Sequence, residues 1–351
     1  MTRTPPLKTP TSVDLIALAE CVEKFSSKTV ILLGDFVADE FQFGDISRVS
    51  REAPVLILRH RETQVIPGGG ANAANNLAAL GARVLPITAV GYDAAGDALV
   101  AHFRGMRANV SGIVRVKGWT TPTKTRFLAG WAHTVGQQVL RVDREPQSAL
   151  PESAQKKVRQ TLLMKVHSAD ALAVSDYGFG VANPDLVLQA ASKRKRRLLI
   201  TLDARYHLSA YEKVGIFSAT PNEAELETLH HATIGSDSDE LTRCGRATLA
   251  AMRLSALLVT RGRHGMALFE QGDRVTNIAV HGSDQAVDVT GAGDTVLAAY
   301  TLALACGASP LEAAHIANIA GGLVVMKRGT ATVSRAELLE AIRRDAGGSA
   351  A

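Results

Sequence analysis

The sequence predicts an α/β protein: a mainly parallel central sheet flanked by helices, with a small β-sheet lid. Three observations carry that expectation. From about residue 150 onward, short apolar runs at 171–174, 198–202, 215–219, 256–260 and 266–269 are mostly separated by helical patterns, as in a sheet built from strand–helix–strand units. Residues 41–65, 111–116, 123–128 and 138–142 alternate apolar and polar side chains, the pattern of antiparallel strands with one wet face. Composition agrees, since 46% of the 351 residues are hydrophobic but only 5% aromatic, which suits small side chains packing helices closely on a sheet.

In chain order, residues 1–11 read as a tail and 13–25 as a helix, giving an N-terminal segment of 1–28. A buried strand follows at 29–33, ending at Gly34-Asp35. The main domain is expected over 29–345, its lid formed from about 40–66 and 111–143, with 346–351 as a tail. Helical patterns at 295–306, 310–327 and 334–344 close the chain.

The net charge of +5 suits an anionic small substrate as well as a polyanion. The densest basic run, Lys193-Arg194-Lys195-Arg196-Arg197, reads as a solvated helix end, because no aromatics interleave with it; no nucleic-acid partner is expected. Cys21, Cys244 and Cys306 show no disulfide or metal spacing, as expected of a reducing cytoplasm. No run of about 18 apolar residues occurs, so no membrane partner is expected. His230, His231, His264, His281 and His315 show no metal-ligand spacing.

Two glycine-rich turns stand out. In Val287-Asp288-Val289-Thr290-Gly291-Ala292-Gly293-Asp294, small residues precede a helical run. Backbone N–H groups there can approach an anion, aided by the helix N-terminus. Asp294 is explained in such a turn either as part of an acidic helix cap or as a general base beside a transferring phosphoryl group. The turn lacks the Gly-Lys-Ser/Thr of a P-loop and the third glycine of a dinucleotide fingerprint. The second turn, Pro67-Gly68-Gly69-Gly70-Ala71-Asn72-Ala73-Ala74-Asn75-Asn76, offers close backbone approach and amide groups suited to sugar hydroxyls, or simply a capped helix.

Together these turns resemble the two signature sequences of the ribokinase-like (PfkB) carbohydrate kinase family. Thr220-Pro221-Asn222-Glu223-Ala224-Glu225 resembles its Asn-x-x-Glu element, and Thr260-Arg261-Gly262 with Gly265 its nucleotide-contacting turn. Within the family, the nearest resemblance is to the D-glycero-β-D-manno-heptose-7-phosphate kinases of lipopolysaccharide-core biosynthesis. It rests on Gly34-Asp35 with Asp39, on residues 47–55 and 136–143, on Ser175-Asp176-Tyr177 and on residues 329–334. Two departures bear on the sugar. Phe179 stands where those kinases typically carry Lys, and Asp203-Ala204-Arg205 where they carry Asp-Pro-Lys. Bifunctional relatives add a nucleotidyltransferase domain; the chain ends at Ala351, so that activity is expected elsewhere.

The resemblance implies an ATP-dependent, Mg²⁺-requiring sugar kinase. Asp294 would be its base, and the N–H groups of Gly291, Ala292 and Gly293 its anion hole. Asp35, Asp39, Gly69, Asn72 and Arg205 would face the sugar phosphate, and Thr260, Gly262, Gly265 and Asn318 the nucleotide. Asn222 and Glu225 would organise Mg²⁺ through water, and Asp288 a monovalent cation, K⁺. A lid of this kind also implies a homodimer paired through its sheet edge. Two alternatives stay open: a kinase of the same family acting on another sugar, sugar phosphate or nucleoside, and a non-catalytic sugar- or nucleotide-binding regulator.

Overall fold

The computed structural model describes residues 13–130, 137–193, 197–283 and 285–348. The tail 1–11, Gly136, the middle of the basic run (194–196) and residues 349–351 lie outside that set. Helix α1 (Leu15–Glu23) leads into β1 (Thr29–Gly34). A long hairpin, β2 (Phe36–Val49) and β3 (Leu56–Gly69), runs straight into α2 (Gly70–Ala79). There follow β4 (Arg83–Gly91), α3 (Ala94–Gly105), β5 (Ile113–Val116), β6 (Thr123–Gly130) and β7 (Gln137–Arg144). Next come α4 (Glu152–Lys165), β8 (Ala171–Asp176), α5 (Pro184–Ser192), β9 (Leu199–Ala204) and β10 (Ser218–Ala219). The chain continues through α6 (Glu223–His230), α7 (Ser238–Ala251), β11 (Ala256–Thr260), β12 (Met266–Glu270) and β13 (Val275–Ile278). It closes with α8 (Ala292–Ala305), α9 (Pro310–Val324) and α10 (Arg335–Gly348).

The expected α/β architecture is present. A nine-stranded sheet in the order β13-β12-β11-β10-β9-β8-β1-β4-β5 is parallel except at β12 and β13. Side chains of β1 alternate between its faces, as the two-residue period of a strand requires. Val30 and Leu32 join a core with α1, α2, α8, α9 and α10, whereas Ile31 and Leu33 join one with α4 to α7. The outcome is a three-layer sandwich. A separate four-stranded sheet, β3-β2-β6-β7, forms the lid.

Two expectations need correction. Residues 113–116 do not belong to the lid: β5 pairs parallel with β4 at the edge of the main sheet, with Ile113 and Val116 buried. Ile113 packs into one core and Val116 into the other, so β5 is covered on both faces, which the local pattern of a four-residue strand does not reveal. The strand expected at 215–219 shrinks to Ser218–Ala219, and Gly215, at φ +80°, lies outside extended geometry. Of the basic run, Lys193 closes α5 in right-handed helical geometry. Among the described residues, no helix is long and apolar enough to cross a membrane.

A polar seam locks α2 to α8. Asn76 Nδ2 donates to the Asn72 backbone carbonyl and to Asn72 Oδ1, both at 3.0 Å, and Thr295 Oγ1 donates to Asn76 Oδ1 at 2.9 Å. All three side chains are buried, so each needs these partners. Asn76→Ala is expected to lower unfolding free energy by about 1–3 kcal/mol, the cost of buried groups left unpaired. Urea denaturation at constant m-value checks this.

Candidate active site

The site lies beyond the carboxyl ends of the parallel strands, where strand order reverses between β1 and β8; ligands of open α/β sheets gather there. Gly291 is the N-cap of α8, at φ +76°. A Cβ on Gly291 would stand 2.4 Å from Asn72 Nδ2, so only glycine lets the turn close on α2. The Ala292 N–H donates to the Val289 carbonyl at 3.2 Å. Those of Gly291 and Gly293 have no acceptor among the described residues and are available to an anion.

Asp294 is the third residue of α8 and only 4% exposed. Its Oδ2 accepts from Asn72 Nδ2 at 2.8 Å and its Oδ1 from the Tyr177 hydroxyl at 3.3 Å. Burial pushes its pKa up to about 7, with Asn72 and Tyr177 pulling the other way. A carboxylate poised there can take a proton near neutral pH.

Around Asp294 opens a polar cavity of roughly 310 Å³, reached by Asp39, Lys124, Arg126, Arg141, Tyr177, Asp203 and Arg205. Strand register explains the lid's contribution. Asp39 on β2 pairs with Lys124 on β6, which pairs with Asp143 on β7; one step on, Phe41, Arg126 and Arg141 align in the same way. Residues two apart share a face, so three cations crowd one side of the lid. Arg126 is neutralised by Asp39, and Arg141 by Asp143 with Nε–Oδ1 at 2.7 Å. Lys124 and Arg205 have no carboxylate at salt-bridge distance among the described residues; both lie over the Tyr177 ring, at 5.5 and 5.9 Å from its centroid. Burial lowers the Lys124 pKa, and Arg205, Arg141 and Arg126 add to this against Asp39. Unpaired cations in a concave site are a receptor for an anion.

A second cavity, roughly 170 Å³, adjoins the first at Thr260, Val289 and Gly293. Its walls are largely apolar, including Met266, Val280, Val296 and Val325, and Gly262, Gly265 and Asn318 also line it. The two cavities therefore meet at the start of α8.

Most sequence-derived candidates converge here. Asp39, Gly69, Arg205, Asn222, Glu225, Thr260, Gly291, Gly293 and Asp294 line the polar cavity, and Ala292 the apolar one. Gly69, at φ +55°, has no room for a Cβ, which would come within 2.9 Å of Val37 and 3.3 Å of the Tyr177 ring. Asn318 lines the apolar cavity while its Nδ2 donates to the Ala279 carbonyl at 2.7 Å.

Asp35 and Asn72 do not face the cavity as expected. The Asn72 side chain is buried and engaged with Asp294, Gly291 and Asn76; the Asp35 carboxylate is buried against backbone N–H groups. Asn222 and Glu225 form a reciprocal capping box on α6, each side chain bonding the other's N–H at 2.9 Å. Glu225 Oε1 keeps no partner among the described residues, so it can hold a hydrated cation. Asp288 accepts from the N–H groups of Thr290 and Gly329, both at 2.9 Å. No cluster of three or more His, Cys, Asp or Glu fit to hold a metal occurs among the described residues. Sequence reasoning missed Lys124, Arg126, Arg141, Tyr177 and Asp203 as lining residues, and Phe179 does not line the cavity.

This architecture is ribokinase-like. It superposes on Escherichia coli phosphofructokinase-2 in complex with potassium, with a TM-score of 0.71 and 19% identity, covering 90% of this chain and 98% of that one. It also superposes on Arabidopsis thaliana ribokinase complexed with ribose and ATP, with a TM-score of 0.69 and 20% identity, covering 90% and 99%. At such identities the likeness is one of fold. The sequence takes the assignment further: residues 36–337 match the pattern described as pfkB family carbohydrate kinase, and the chain belongs to that family. It is 37% identical over 311 residues to the bifunctional protein HldE of Geobacter sulfurreducens, covering 88% of this chain and 62% of that one. For the HldE of Pseudomonas aeruginosa LESB58 the identity is 36% over 327 residues, with 92% and 66% covered. The chain thus spans just under two thirds of the length of these curated relatives.

The buried carboxylates have a measurable consequence. Asp294 and Asp35 both titrate near 7, above the unfolded value near 3.8, so the folded state holds extra protons between those limits. Their contribution is fully present below about pH 4 and is lost as pH rises through about 7. Asp294→Asn should therefore gain stability relative to the parent across this window, on the order of 1.4 kcal/mol per pH unit. A difference that does not change with pH, in urea titrations from pH 4 to 8, would contradict the burial account.

Proposed function

We propose that the protein transfers the γ-phosphoryl group of ATP to a hydroxyl of a phosphorylated sugar, D-glycero-β-D-manno-heptose 7-phosphate, yielding the 1,7-bisphosphate and ADP. One observation carries this reading: a single polar cavity has the buried base Asp294 at its floor and the unpaired cations Lys124 and Arg205 over Tyr177. An acceptor with a phosphate at one end and a reactive hydroxyl at the other satisfies both. The relatives named HldE support the heptose assignment, since their likeness runs across nearly the whole chain.

In the proposed reaction the nucleotide occupies the apolar cavity, with its terminal phosphate at the Gly291 and Gly293 N–H groups. Asp294 accepts the proton of the sugar hydroxyl as its oxygen bonds to the γ-phosphorus, and the bond to the ADP oxygen breaks. The N–H groups stabilise charge on the transferring group, and the lid excludes water. Asn222 and Glu225 would hold Mg²⁺ through water, where it supplies charge neutralisation for the phosphates. Asp288 and the Gly329 backbone would border a K⁺ beside the anion hole, in line with the potassium complex of the E. coli neighbour.

We assign a homodimer to the lid. Strand β7 is exposed along its whole length, and its Leu140 and Val142 lie on the face away from Arg141 and Asp143. Light scattering on the full chain tests this; a monomer at micromolar concentration would remove it.

The central assay measures ADP formation over a panel of heptose 7-phosphate, fructose phosphates, ribose and adenosine, with Mg²⁺ and K⁺ withdrawn in turn. The expected result is turnover confined to the heptose phosphate, falling about 10²–10⁴-fold in Asp294→Asn. Lys124→Ala should raise the KM for the phosphorylated acceptor and leave that for ATP unchanged. Preference for an unphosphorylated sugar would sink the acceptor assignment.

A further inference from the structure

Asp35 is a buried carboxylate, 1% exposed, with no cation at salt-bridge distance among the described residues. Such a group is costly unless backbone donors surround it. Three do: Oδ2 accepts from the N–H groups of Tyr177 at 2.9 Å and Phe179 at 3.1 Å, and Oδ1 from that of Val181 at 3.0 Å. Its backbone is tied as firmly, its N–H donating to the Ser175 carbonyl at 3.1 Å and its carbonyl accepting from Gly70 at 3.0 Å. One residue thus fixes the loop after β8 against β1 and the start of α2.

What that loop presents is Tyr177, whose hydroxyl reaches Asp294 Oδ1 at 3.3 Å. Burial, then Asp294 and Asp203, push the phenol far above its ordinary pKa, so across the neutral range it keeps its proton and can donate it to Asp294.

We propose that Tyr177 is a positioning residue for Asp294, orienting its carboxylate and favouring its ionised form, and that Asp35 acts by holding Tyr177 in place. The inference rests on the reading of Asp294 as the base. Other groups facing Asp294 come from separate elements: Asn72 on α2 donates to it, Lys124 on β6 favours its charge, and Asp39 on β2 and Asp203 on β9 oppose it. Removing the hydroxyl alone, with the ring kept, isolates one contact.

The test uses Tyr177→Phe in the full chain, following the Asp294 carboxyl by ¹³C NMR titration and kcat/KM against pH. The Asp294 midpoint is expected to rise by about one pH unit. The rate should then fall about fivefold at pH 7 and recover by about pH 9, which a merely loosened fold would not do. Asp35→Asn should move the midpoint the same way, and the double variant no further than the larger single effect. An unmoved midpoint in Tyr177→Phe overturns the proposal, as do additive effects in the double variant. A parent protein that phosphorylates no sugar overturns the functional reading instead, and the titration still decides the role of Tyr177.

Discussion

At the centre of the molecule is a carboxylate kept out of water by neutral partners. Asp294 is held by an amide and a phenol, and no arginine or lysine pairs with it at salt-bridge distance among the described residues. A cation at contact distance would hold the group ionised and weakly basic. Burial against neutral donors instead leaves a base near neutrality, at a standing cost in stability. Much of the surrounding structure follows from that demand. Gly291 must be glycine so that α8 can approach Asn72, and Asn76 and Thr295 fix Asn72 in turn.

The lid answers a different constraint. Arg126 and Arg141 stand directly opposite each other on neighbouring strands, an arrangement that repels unless compensated. Asp39 and Asp143 compensate them, which leaves Lys124 and, from the core, Arg205 for a ligand. The cavity is thus divided by charge: a buried acid close to α8 and free cations where lid and core meet over Tyr177. Phe179 does not line this cavity, and Lys124 contributes a cation to it from the lid.

Where function is tied to a local turn, the sequence was readable. The glycine turn and its helix start marked Asp294 as either a helix cap or a base, because a close backbone approach needs small residues in a row, and the family resemblance chose between the two. Gly69 lines the polar cavity, whereas Asn72 and Asp35, which the family resemblance assigned to the sugar with it, do not. Their carboxylate and amide face inward, a matter of how β1, α2 and the loop after β8 stack. The lid cations were illegible for a related reason. Lys124, Arg126 and Arg141 read as the wet face of alternating strands, and only the register of β2, β6 and β7 turns that face toward the site. Strand β5 shows the same limit, since local alternation does not say which sheet an edge strand joins.

The most direct measurement is a crystal structure with a non-hydrolysable ATP analogue and the phosphorylated heptose. The account requires an acceptor hydroxyl about 2.6–3.2 Å from an Asp294 carboxylate oxygen. The terminal phosphate should lie against the Gly291 and Gly293 N–H groups, and the sugar's own phosphate between Lys124 and Arg205. An acceptor bound with its hydroxyl away from Asp294, or with its phosphate away from those cations, would contradict it.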